Sequence, residues 1–380
     1  MPDLYPILKE REQAGRLPAI TAYNRIDGPG SSLDLREFQA AFWRMPEGSP
    51  PDDESEFADW SRHLPRTVGI TIDTGCRVTA KPLAPGNIGV VSYDYGYHEE
   101  RPAGQVPFRK ELWLLKILDL FGLSGVQMVL HNLVPGIKSS GLGGSATATM
   151  AVCMLASRLA GDPFNADQLV AIASLIEQDM GISITGTQEQ SNVIHGGVTD
   201  YVWFPWGVPG LPGGYGASIR RQLIGEDGYS ELAARISLYH SGKERASTDV
   251  NSIWRRRLSD PEGYAKHLAQ VATAHDFREA LRTRNWTAAC QAVRQYRTIR
   301  VELGPAYMTS ECWDIQGQCE LNGAESFPLG AGGGGAVLVF SPSAEHQAAV
   351  DAAISPVYRR IPFKLRARGH EFENLPGGVS

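Results

Sequence analysis

PGIKSSGLGGSA, residues 135–146, is the stretch on which the fold turns. It follows VQMVLHNLV (126–134), an apolar run that reads as a strand, and leads into SATATMAVCMLASRLAG (145–161), whose small and apolar residues read as a helix. Gly141, Gly143 and Gly144 let the backbone turn its N–H groups inward, and the helix adds the positive end of its dipole. Strand, glycine turn and helix N-terminus in that order make an anion site suited to a nucleotide's phosphates. A Walker A loop is excluded, because the Gly-Lys-Ser/Thr ending is missing. A flexible glycine turn capped by Ser145 is the competing reading. Lys138, inside the turn, either reaches a phosphate or faces solvent.

Around this stretch the chain alternates between the two periodicities without a regular βαβ rhythm. VGITIDTGCRVTAKPL (68–83) reads as a strand or hairpin, and PFRKELWLLKILDLFG (107–122) as a helix ending at Gly122. The apolar run WLLKILDLF suits either a core or an interface, which leaves a homodimer open. ADQLVAIASLIEQDMG (166–181) is a second helix, GVTDYVWFPW (197–206) a strand, and VPGLPGGYG (208–216) a loop or domain boundary. Residues 260–323 read as mostly helical, followed by a glycine-rich turn and the strand AVLVF (336–340). The segment from Pro46 to Glu56 is acidic and Pro-rich, which predicts a surface loop or partial disorder. The pattern predicts an α+β fold in two lobes, residues 1–205 and 206–380, with the site between them.

Bulk properties narrow the function. A formal net charge of -6 argues against general nucleic-acid binding, which needs a basic patch, but leaves room for a small anion in a local pocket. Nowhere do about eighteen apolar residues run together, and the N-terminal stretch lacks a signal-peptide core, so the cytoplasm is expected and a membrane is not. Cys76, Cys153, Cys290, Cys312 and Cys319 are widely spaced, with no metal-ligand pairing, so a disulfide framework is not expected and three or more read as buried small hydrophobes.

Three further constellations carry chemistry. TGTQEQSNVIHGG (185–197) sets Glu189 just after a helix end, where a carboxylate can accept the proton of an attacking hydroxyl or orient it. A solvated polar loop is the alternative there. Glu177 falls on the apolar stripe of its helix with Leu169, Val170, Ile172, Ala173 and Ile176, where a carboxylate is costly unless it meets a cation or several donors. Magnesium bound to ATP would satisfy it, as would a structural salt bridge. LGAGGGGAVLVF (329–340) places four consecutive glycines before a strand, which implies close approach of the backbone to a ligand or another segment.

In this order the pieces resemble the GHMP kinases, a family that includes galactokinase, homoserine, mevalonate and phosphomevalonate kinases. The family's second motif is matched by Ser140-Gly-Leu-Gly-Gly-Ser-Ala146, with Gly144 in place of one serine, and its third fully from Gly330 to Gly335. TAYNRIDGPGSSLDL (21–35) looks like a looser form of the first motif, giving Arg25 and Asp34. The likeness is strongest to bacterial heptose 7-phosphate kinases and fucokinase-type enzymes, through TIDTGCRVTAKPL, SYDYG, IEQDMGISITGTQEQ and HSGKERASTDV.

The resemblance implies a ribosomal S5 domain 2-like N-terminal lobe, a ferredoxin-like C-terminal lobe, and phosphorylation of a sugar or sugar phosphate hydroxyl, the anomeric one foremost. ATP would sit on Lys138 and on residues Ser140, Gly141, Leu142, Gly143, Gly144, Ser145 and Ala146, with Mg2+ on Ser145 and Glu177. Glu189 would be base or orienter and Arg25 its electrostatic partner. Asp34, Gln190, Arg245, Gly332, Gly333 and Gly334 would face the acceptor. Three departures stand out. Glu189 replaces the family's Asp, which moves the carboxylate by roughly 1 Å. Pro29 and two serines alter the first motif, and the insertion between Asp34 and Val68 is long and acidic. A non-sugar alcohol as acceptor, or an inactive nucleotide-binding relative, are the rival readings.

Overall fold

A computed structural model describes residues 3–42, 48–94, 96–134, 141–204, 218–243, 252–253 and 255–375. Helix α1 (Tyr5–Gln13) leads into β1 (Ala19–Asp27), which is buried along its whole length. After α2 (Arg36–Phe42) and α3 (Glu54–Trp60) comes the long strand β2 (Arg66–Pro82). Strands β3 (Asn87–Ser92) and β4 (Tyr97–Pro102), helix α4 (Trp113–Leu120) and strand β5 (Val126–Asn132) follow. Helices α5 (Gly144–Leu159), α6 (Ala166–Asp179) and α7 (Gln188–His195) precede β6 (Val198–Trp203) and β7 (Ser218–Ile224).

Strand β2 organises the first sheet. It runs antiparallel to β1 throughout, and its two halves pair with β5 and with β6. The register shifts between Tyr23 and Asn24, whose partners are Gly75 and Ile72, so Asp73 and Thr74 bulge out of β2 opposite the residues that precede Arg25. Leu114, Leu115, Ile117 and Leu118 of α4 are buried, so its apolar run belongs to the core rather than to an open surface.

The second lobe contains α8 (Tyr229–Ala233), β8 (Ile236–His240), α9 (Pro261–Arg282), α10 (Trp286–Leu303), α11 (Ser310–Leu321), β9 (Glu325–Pro328), β10 (Ala336–Phe340), α12 (Ala344–Ile354) and β11 (Arg359–Arg360). Its sheet is antiparallel, in the order β11-β8-β10-β9. A last strand, β12 (His370–Glu373), returns to pair antiparallel with β1. Both β7 and β12 therefore join the first sheet from beyond residue 205. The lobes also share apolar surface, since Ile26, Val68, Ile70 and Leu142 pack in one cluster with Phe277, Tyr296 and Phe340.

The acidic insertion corrects an expectation. Residues 48–53 are largely exposed, but α3 begins at Glu54, with Asp53 as N-cap accepting from the Ser55 and Glu56 N–H groups at 2.9 and 3.0 Å. Glu54 pairs with Arg278 of α9, and Arg278 with Arg66 flanks the buried Asp200. These ion pairs hold the insertion against both lobes. The boundary segment 208–216 lies outside the described residues. All five cysteines are free and buried, which meets the expectation that three or more would be.

Candidate active site

The phosphate turn is built on the backbone of α5. Gly141 and Gly143 both have left-handed φ, 82° and 80°, and Gly143 is the N-cap, with no side chain capping the helix. The N-terminal N–H groups of a sixteen-residue helix therefore open onto the cavity beside them. Gly143 is needed for space as well as for φ. A Cβ there would lie 3.0 Å from Glu189 Cγ and 3.3 Å from Arg25 Nη1. Lys138 and Ser140 lie outside the described residues, whereas Gly141, Gly143, Gly144, Ser145 and Ala146 line the cavity. Leu142 is buried beneath them, its carbonyl accepting the Arg25 N–H at 3.4 Å.

Arg25 is the centre of the arrangement. Its Nη2 donates to Glu189 Oε1 at 2.6 Å, Nη1 to the Gly141 carbonyl at 3.3 Å, and Nε lies 2.7 Å from Asp27 Oδ1. Burial works against the guanidinium's charge, but Asp27, Glu189 and Asp34 outweigh it and raise its proton affinity. Glu189 is not in a loop: it stands in the first turn of α7, its side chain 23% exposed toward the cavity. The helix forms because Thr187 and Gln188 start it beside Asp34, whose Oδ2 accepts the Gln188 N–H at 2.9 Å.

Glu177 is fully buried, as its place on the apolar stripe of α6 predicts. Thr149 donates to Oε1 at 3.0 Å and Gln190 Nε2 to Oε2 at 3.1 Å, with Ser145 also within its hydrogen-bonding reach. Burial pushes its carboxyl up to about 8, with the nearby Glu189 charge adding to the rise. Gln190 thus faces Glu177, deep in the protein and outside the cavity lining. Among the described residues no group of three His, Cys, Asp or Glu could hold a metal by itself. The donor set still fits magnesium carried by a nucleotide, because one hydroxyl and one costly carboxylate leave the other positions to phosphate and water.

A further part of the cavity is polar. Ser31, Ser32, Asp34, Thr185, Gln188 and Glu189 line it with hydrogen-bonding groups, beside the apolar Leu35 and Ile184. The loop is tight, and Ser32 adopts φ 81°. Burial pushes the Asp34 carboxyl up to about 7, and the Glu189 charge pushes in the same direction. The whole cavity measures about 290 Å3.

The glycine run reaches the cavity with its first residues. Gly330 and Ala331 line the cavity, and the Gly330 N–H donates to Asp27 Oδ2 at 3.2 Å. The later glycines of the run pack against their own lobe instead. Gly332 packs over Tyr307, where a Cβ would come within 2.1 Å of the ring. The Gly333 N–H donates to the Tyr307 carbonyl at 2.9 Å, and Gly334 lies beside Lys243. Of the run, Gly330 and Ala331 line the cavity, and Gly332 to Gly334 do not. Arg245 lies outside the described residues. Asp27 escaped the sequence reading, although strand alternation sets it on the same face of β1 as Arg25.

Residues 110–197 match the family model described as the GHMP kinases N terminal domain. The chain carries a GHMP kinase N-terminal domain. That domain spans α4 to α7, hence the phosphate turn, Glu177 and Glu189, and the family's members are phosphotransferases acting on alcohol groups. Solved structures share the fold over almost the full chain. The Lin0012 protein of Listeria innocua is 15% identical with a TM-score of 0.70, covering 93% of this chain and 99% of its own. A D-glycero-D-manno-heptose 1-phosphate kinase from Bacteroides thetaiotaomicron is 15% identical with a TM-score of 0.62, covering 94% and 98%. Streptococcus pneumoniae phosphomevalonate kinase is 10% identical with a TM-score of 0.67, covering 92% and 99%. No curated protein sequence matches. The GHMP kinase fold, two-lobed and α+β, is the one the sequence motifs imply. Among the described residues no helix is long and apolar enough to cross a membrane.

Proposed function

We propose that this protein is a cytoplasmic ATP-dependent kinase that phosphorylates a hydroxyl, foremost the anomeric one, of a sugar or sugar phosphate. The observation that carries the reading is the Arg25–Glu189 pair, 2.6 Å apart and pressed against Gly143 at the open N-terminus of α5. It sets an electrostatic partner and a carboxylate where a phosphate terminus and an acceptor hydroxyl would meet. Many phosphoryl transfers need little more than such positioning and charge.

The N–H groups of residues 143–146 cradle phosphate oxygens, and Trp113, Leu130 and Val134 supply an apolar wall for a base further out. Ser145 and Glu177 are the residues that would hold magnesium. Magnesium-bound ATP would supply the phosphoryl group and a cation that screens its charge. Glu189 accepts the hydrogen bond of the acceptor hydroxyl and takes its proton as the oxygen's bond to the γ-phosphorus forms and the bond from that phosphorus to the departing ADP oxygen breaks. Arg25, held by three oxygens, keeps its charge over the reacting centre. Asp34 and the serines at the acceptor end favour a polyhydroxylated ligand, with Leu35 and Ile184 against its apolar face.

The longer Glu189 side chain fits the site, since it reaches Arg25 directly. The test is ADP release from Mg·ATP against heptose 7-phosphates, fucose, galactose and non-sugar alcohols. Turnover on a sugar or sugar phosphate is expected. Turnover on a non-sugar alcohol alone, or on no acceptor while ATP still binds, would replace this reading.

A further inference from the structure

Asp27 lies fully buried at the end of β1, outside the cavity lining, and four elements converge on its two oxygens. Arg25 Nε lies 2.7 Å from Oδ1, and Gln188 Nε2 donates to the same oxygen at 2.7 Å. Ser31 Oγ donates to Oδ2 at 3.4 Å, and the Gly330 N–H at 3.2 Å. Ser31, Gln188 and Gly330 all line the cavity, on the acceptor loop, on α7 and on the glycine run of the other lobe. One carboxylate therefore ties the guanidinium to every wall of the acceptor end. A second bridge runs parallel to it, as Arg300 of α10 donates to the Ser31 carbonyl at 3.3 Å and to the Ala331 carbonyl at 3.2 Å.

We propose that Asp27 is a positioning residue that fixes the Arg25 guanidinium and docks the glycine run of the C-terminal lobe onto the acceptor loop. Arg25, Gln188, Ser31 and Gly330 all turn donor groups toward its carboxylate, so the site needs two acceptor oxygens. An amide in its place turns an NH2 group against at least one of those donors. A buried carboxylate is retained in such a place only when its partners compensate for desolvation, and here they do so from both lobes. The catalytic consequence rests on the kinase reading; the docking does not.

The test is Asp27→Asn in the full chain, with two readouts. In hydrogen exchange, the amides of residues 329–335 are expected to exchange at least tenfold faster, while α9 and α10 keep their protection. In steady-state kinetics, kcat is expected to fall at least tenfold with the KM for ATP within twofold. In an Arg25→Ala background the same substitution should change kcat less than twofold, because the group it positions is gone. Unchanged exchange at 329–335, or exchange that rises evenly across both lobes, overturns the proposal whether or not the wild type turns over. Full additivity with Arg25→Ala overturns the catalytic half. Should Asp27→Asn not fold, Asp27→Ser tests the same docking, with the same segment-limited rise expected.

Discussion

Replacing Glu177 with Gln makes a prediction whose size follows from its burial. The carboxyl sits on the core side of α6, and burial holds it at about 8 against an ordinary value of 4.5. Between those values the folded protein keeps a proton there that the unfolded chain has released. Its contribution to stability is therefore fully present below 4.5 and lost as pH rises toward 8. Each unit is worth about 1.36 kcal/mol, and integrating from about pH 5.5 to about pH 8.5 gives about 3 kcal/mol. Glutamine keeps the shape and can still bond to Thr149 and Gln190, but it does not ionise. The assay is urea unfolding of both proteins without nucleotide at the two pH values. The stability of Glu177→Gln relative to wild type should rise by about 3 kcal/mol between them. Added Mg·ATP at the higher pH should stabilise the wild type more than the variant, because a cation favours the ionised carboxylate. Parallel stability curves would refute the reasoning, since they would mean that Glu177 ionises freely in the folded protein.

Other consequences can be checked independently. Gly143→Ala places a methyl group at left-handed φ and 3.0 Å from Glu189 Cγ, so it should cost about 1–2 kcal/mol and lower kcat at least tenfold. With the Asp34 carboxyl at about 7, the acceptor's KM should rise as pH falls through that value, and this dependence should vanish in Asp34→Asn. Burial pushes the thiols of Cys76, Cys290 and Cys319 up to about 12, and all five cysteines are buried. A disulfide reagent should therefore label none of the five within minutes in the native protein and all of them in denaturant.

Local patterns made much of this site legible. The glycine turn before a small-residue helix announces the open helix N-terminus, because both features are determined within a dozen residues. The apolar stripe likewise places Glu177 in the core without any tertiary information. What escaped depends on partners distant in sequence. Asp27 gains its role from Gly330, and nothing in NRID distinguishes it from a structural acid beside an arginine. The acidic composition of residues 46–56 obscured an N-cap, Asp53, followed three residues later by Glu56. Strand β12 is four residues long and polar, and only pairing with the buried β1 makes it a strand. The glycine run shows the same limit from another side. Its sequence demands close approach, but whether ligand or protein does the approaching is not local information: at Gly332 it is Tyr307 of the same lobe.

The most direct measurement of the central claim is transfer of labelled γ-phosphate from Mg·ATP to a sugar or sugar phosphate, followed in wild type and in Glu189→Gln. The site geometry predicts a labelled sugar product in the wild type and at least a hundredfold lower kcat in the variant, with ATP binding retained in both. Equal rates in the two proteins would contradict the role of Glu189. Label appearing only as inorganic phosphate, whatever the acceptor, would contradict the kinase reading itself.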